Sequence, residues 1–134
     1  MNLRKGEKTM EIENAPDFLA TLTHDARDPG RVTVALTFAL AALTQGKKAA
    51  ILLLLDGVAL AQESYADSID AGDPFVPAKD LLESFLAAGG TINACGACLK
   101  HNGIPPERLM PGIRVVDGGT AVKLISAAKT TFQL

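Results

Sequence analysis

Cys95 and Cys98 are the two cysteines of the chain, three residues apart in Asn93-Ala94-Cys95-Gly96-Ala97-Cys98. A thiol does chemistry as its thiolate: as a nucleophile, a metal ligand or half of a redox pair. Cys95 is placed at the end of a strand formed by Thr91 to Ala94, where Gly96-Ala97 open a short helical turn that Gly103 ends. Backbone N–H groups at such a junction stabilise a negative sulfur. The competing reading is that both cysteines are small buried hydrophobes, a common fate of free thiols.

Other uses of the pair fit less well. Thioredoxin-like exchange would need the Cys-x-x-Cys motif after an early strand and before a long helix, whereas here it comes late and before a short one. Cys95, Cys98 and His101 are spaced three apart, but a structural zinc takes about four ligands, and His24 is the other histidine; no metal and no cofactor are expected. His24 follows the first strand and is a candidate for proton handling or for tuning the cysteine. Its structural alternative is a hydrogen bond within its own loop. Asp25 and Asp28 read as loop and helix caps. The pairs Gly89-Gly90 and Gly118-Gly119 match neither a phosphate loop nor a dinucleotide fingerprint and read as turns, although Gly118-Gly119 at a helix start could hold an anion.

The elements that must position these residues alternate. Phe18 to Thr23 reads as a first strand, and Asp28-Pro29-Gly30 announces a helix over Arg31 to Gln45, apolar on nearly all sides and stopped by Gly46. Ala49 to Leu55 is a continuous apolar run, the pattern of a strand covered on both faces. A turn is expected at Asp56-Gly57, then a partly ordered excursion over Val58 to Pro77. Leu81, Leu82, Phe85 and Leu86 recur at helical spacing over Pro77 to Ala88. After the cysteine strand come a Pro-rich loop, a strand at Ile113 to Val116, a helix at Ala121 to Ala128 and a last strand at Thr130 to Leu134. Strand and helix alternating in this way predict an α/β fold, a three-layer α/β/α sandwich with a mainly parallel sheet of about five strands. Residues 1–15 read as a flexible N-terminal arm and 16–134 as a single domain.

Composition narrows the function. The chain has 134 residues, 48% of them hydrophobic and 21% charged, with a formal net charge of −2. That balance supplies no basic field for a phosphate backbone, so no nucleic-acid partner is expected. The apolar runs Val32 to Leu43 and Ala49 to Leu55 each fall short of the roughly 18 residues a membrane span needs. The start Met1 to Glu13 is mostly polar and holds no signal-peptide core. An intracellular, cytoplasmic protein without a structural disulfide is the expectation.

The stretch Leu22-Thr23-His24-Asp25-Ala26-Arg27-Asp28-Pro29-Gly30-Arg31, then Asp56-Gly57-Val58, then above all Ala88-Gly89-Gly90-Thr91-Ile92-Asn93-Ala94-Cys95-Gly96-Ala97-Cys98-Leu99-Lys100-His101-Asn102-Gly103-Ile104, resembles the DsrE/DsrF-like family of small sulfur-relay proteins. The resemblance covers about Phe18 to Val116. It implies that Cys95 accepts sulfane sulfur as a persulfide, that sulfur passes between donor and acceptor proteins, and that the chain forms a homo-oligomer, a trimer or hexamer. Cys98 lies outside the pattern of the sulfur-transferring members, which leaves open whether it resolves a persulfide or only packs. Two other readings stand beside this one: a non-catalytic oligomeric scaffold, in which the Ala-rich helix Arg31 to Gln45 packs on a subunit, and a thiol–disulfide oxidoreductase using Cys95 and Cys98.

Overall fold

Ala49-Ala50-Ile51-Leu52-Leu53 contains no polar side chain, and a strand of that kind needs cover on both faces. It forms β2 (Ala49–Leu53), all of it buried. In the computed structural model, which describes residues 15–134, β1 (Phe18–Leu22) and β3 (Thr91–Cys95) flank β2 in parallel. The arm read over 1–15 lies, Ala15 apart, outside the described residues. β4 (Arg114–Val116) adds beside β3 and β5 (Thr130–Gln133) beside β1, giving an all-parallel five-stranded sheet in the order β4-β3-β2-β1-β5.

Side-chain alternation sends the strands' residues to two cores. Ala20, Leu22, Ile51, Leu53, Ile92 and Ala94 join one cluster, with α1 (Pro29–Thr44), α2 (Ala78–Ala87) and α3 (Gly96–His101) packed onto it. Leu19, Ala50, Leu52 and Val116 face the other way, against Ala121, Leu124 and Ala128 of α4 (Gly118–Ala127) and its end. Helices therefore cover both faces, and the three-layer α/β/α reading holds. Burying each large aliphatic side chain of these cores contributes about 1.5–3 kcal/mol.

Helix starts differ from the sequence reading because capping side chains act upstream of the apolar pattern. α1 begins at Pro29, not Arg31, with the Asp28 carboxylate accepting the Arg31 N–H at 3.1 Å. α4 begins at Gly118, not Ala121, with Asp117 accepting the Thr120 N–H at 2.8 Å. The turn and loose excursion expected after β2 are instead two 3₁₀ segments, Leu55–Ala61 and Tyr65–Ser68, with Val58, Leu60 and Ala61 in the main core. Gly57 permits this: a Cβ there would stand 2.1 Å from the Leu22 carbonyl oxygen. Among the described residues no helix is long and apolar enough to cross a membrane.

Candidate functional site

In open parallel sheets the carboxyl ends of the strands form the binding rim. Cys95 is the last residue of β3 and the N-cap of α3, its Sγ accepting the Cys98 N–H at 3.4 Å. The helix starts at Gly96, as the Gly96-Ala97 opening predicts, with the cysteine as its cap. Both cysteines are free and half-buried.

Their surroundings differ. Cys95 and Lys100 line one side of an open cleft of about 570 Å³, with Val115, Asp117 and Thr120 on the other. Gly96 lets α3 sit close to β4, since a Cβ there would lie 3.2 Å from Val115 Cγ1. Cys98 turns to the opposite side, where its Sγ accepts the Leu55 N–H at 3.2 Å. Burial, then the neighbouring Cys95 sulfur, push the Cys98 thiol above its ordinary value. Two groups charge the cleft, the Lys100 ammonium and the Asp117 carboxylate. Hydrogen bonding to the Thr120 N–H holds Asp117 below the usual carboxylate range. The anion site considered at Gly118-Gly119 is thereby filled by the chain's own cap.

Leu55 holds the second cysteine in place. Its φ of +52° lies in the left-handed region, which costs a leucine about 1–2 kcal/mol. That conformation aims its N–H at Cys98 Sγ, while its carbonyl accepts from Asn102 Nδ2 at 3.3 Å; the same Nδ2 donates to the Cys98 carbonyl at 2.9 Å. The Leu55 side chain is left 63% exposed at the rim. Beside it, Arg27 joins Asp25 and Asp56 through Nε–Oδ1 at 3.0 Å and Nη2–Oδ2 at 2.9 Å, tying the loop after β1 to the 3₁₀ segment. The Arg27 hydrogen bonds hold Asp25 below the usual carboxylate range.

His24 is not brought to the cysteines. Its Nδ1 donates to the Leu134 carbonyl at 2.9 Å, and the Thr23 hydroxyl donates to the same oxygen at 3.0 Å. It follows β1, which β2 separates from β3 by two strand spacings, about 10 Å, and its bond runs toward β5. Among the described residues no hydrogen bond links it to Cys95 or Cys98. No group of three His, Cys, Asp or Glu side chains among them is placed to hold a metal ion. A cavity of about 580 Å³ lined by Phe18, Phe38, Lys47 and Lys129 lies at the opposite, amino ends of the strands.

Sequence reasoning missed Leu55, Asn102, Lys100 and Arg27. The last three carried a polar group near a marked motif, a signal that was present. Leu55 carried none, because its part is played by backbone atoms.

Comparison with known proteins bears on the fold and the family. The model of the DsrE/DsrF-like family matches residues 17–134, continuing past Val116 through α4 and β5. The uncharacterized protein MK0008 of Methanopyrus kandleri is 33% identical over 85 residues, 63% of this chain and 66% of that protein. The chain thus spans just under two thirds of that relative. The uncharacterized protein MJ0989 of Methanocaldococcus jannaschii is 31% identical over 99 residues, 73% of this chain and 82% of that one. Among solved structures, the ychN protein of E. coli superposes with a TM-score of 0.72 at 15% identity, covering 88% of this chain and 98% of that one. BT1422 of Bacteroides thetaiotaomicron, a conserved protein of unknown function, gives 0.61 at 22% identity, covering 88% and 95%. These two likenesses show the fold.

Proposed function

Since the chain belongs to the DsrE/DsrF-like family, we propose that it is a sulfur carrier that holds sulfane sulfur on Cys95 and hands it to a partner protein. The observation that carries this reading is the setting of Cys95 Sγ: at the carboxyl end of β3, hydrogen-bonded by the Cys98 N–H, on the wall of an open cleft. A sulfur so placed is reachable from the cleft and accepts a backbone hydrogen bond.

The loading step is a thiolate displacement. Cys95 S⁻ attacks the outer sulfur of a donor persulfide, R–S–SH; the Cys95 S–S bond forms, the donor S–S bond breaks, and R–S⁻ leaves. Unloading repeats the exchange, with an acceptor cysteine attacking the outer sulfur in the cleft. Donor and acceptor are cysteine-bearing proteins. The reading extends to self-association, supported by exposed Val115 on the edge strand β4 and Val122 on α4, 55% and 60% accessible.

Incubation with a persulfide donor followed by mass spectrometry tests the carrier role. Wild type trapped by rapid alkylation during loading is expected to carry one added sulfur and Cys95→Ser none. Equal uptake by both, or uptake by neither, refutes it.

A further inference from the structure

We propose that Cys98 discharges the Cys95 persulfide as sulfide, so that the carrier also acts as a persulfide reductase whenever no acceptor occupies the cleft. The inference rests on the carrier reading above.

The two sulfurs share one helix end but look to different sides. Cys95 faces the cleft, whereas Cys98 lies behind it, under the Leu55 N–H. A sulfur added to Cys95 extends into the cleft, with Cys98 on the far side of the Cys95 Sγ. Displacement at a disulfide sulfur proceeds by attack of one sulfur and departure of another. Cys98 is placed for attack on the inner sulfur, and an acceptor entering the cleft for attack on the outer one. The reach is short: residues three apart on a helix hold their Cβ atoms roughly 5–6 Å apart, and a disulfide needs about 3.5–4.5 Å. Cys95, with φ −63° and ψ 119°, is extended and already leans its Sγ over the first turn onto the Cys98 N–H at 3.4 Å. A small closure joins them.

The step balances without an outside oxidant. Cys98–SH and Cys95–S–S⁻ become the Cys95–Cys98 disulfide and HS⁻. The bond between the two cysteine sulfurs forms, the bond to the outer sulfur breaks, and the Cys98 proton leaves on the departing sulfide. The two cysteine thiols are oxidised by two electrons in all, which the sulfane sulfur takes up. A small thiol or dithiol reductant then reopens the pair. Burial and the neighbouring Cys95 sulfur hold the Cys98 thiol above its ordinary value, so it competes weakly for incoming sulfur, and it attacks as its proton passes to the outer persulfide sulfur.

The test loads the full chain with glutathione persulfide, removes the donor by desalting, and follows protein mass and free sulfide. In wild type the added sulfur should disappear, with an equal amount of sulfide released and a protein two hydrogens lighter, bridged between Cys95 and Cys98. Cys98→Ser and Cys98→Ala should hold the sulfur on Cys95 and lose it at least about tenfold more slowly, because an intramolecular attack has been removed. Loss from these variants at the wild-type rate, or loss from wild type with no bridge, overturns the discharge step and leaves the carrier reading intact. Absence of sulfur on Cys95 in all three proteins overturns both.

Discussion

On one face of the sheet α1, α2, α3 and the 3₁₀ segments enclose a deep cluster that includes Phe85, Leu36 and Ile51, all without solvent exposure. On the other face α4 alone lies over Leu19, Leu52 and Val116, and none of its own residues is fully buried. The cysteine pair sits where these unequal layers meet. Both cysteines pack against the deep cluster, but Cys98 is clasped by Leu55 while Cys95 also opens on the cleft that α4 helps to line. Two thiols three residues apart thereby receive different partners, a backbone amide of the 3₁₀ segment for one and an open cleft for the other.

The comparison is tested most severely by truncation. Phe85→Ala on the deep side should cost about 3–5 kcal/mol. Leu124→Ala on the shallow side should cost about 1 kcal/mol, because that residue keeps solvent contact. Urea denaturation of the two variants decides the matter, and equal losses would erase the distinction between the faces. A smaller effect is expected in alkylation. Cys95 should react first with iodoacetamide, and Cys98 should lag, its rate titrating above the ordinary thiol value of about 8.5. Peptide mapping over a pH series reads this, and reversal of the order would assign the sulfurs to the wrong sides.

The smallest effect belongs to acid. Asp117 caps α4 on the shallow side and Asp28 caps α1 on the deep side, each held below the usual carboxylate range, first by a backbone hydrogen bond. A carboxylate with a lowered folded pKa stabilises the fold above its unfolded value, about 3.9, and that contribution fades as pH falls through the lower folded value. Asp117→Asn keeps a capping oxygen and removes this dependence, so its acid unfolding curve should begin at slightly lower pH than that of wild type. An unchanged curve would show that the α4 cap does not contribute to acid stability.

Much of this arrangement was legible in the residues. The apolar run at Ala49 to Leu55 announced a strand covered on both faces, though the strand stops at Leu53 before the positive φ of Leu55, and the alternation of elements announced a parallel sheet. The Cys95 junction was marked by Gly96-Ala97 directly after the strand and by Gly103 at the end of the short turn. The rest depends on partners distant in the chain. His24 bonds to a carbonyl 110 positions away, and Cys98 to an amide 43 positions away, and no local pattern encodes either pairing. The 3₁₀ segment after β2 escaped for another reason. Its apolar residues follow neither a helical nor a strand period, so Val58 and Leu60 read as loop although both are buried.

The diagonal course of α4 has a consequence for motion. It leaves β4 at one edge of the sheet and delivers the chain to β5 at the other, crossing a single thin layer on the way. Few buried contacts hold this span, so its amide protons are expected to exchange through a partial opening well below the free energy of global unfolding. Since the first turn of α4 also forms one wall of the Cys95 cleft, each such opening is expected to widen that cleft.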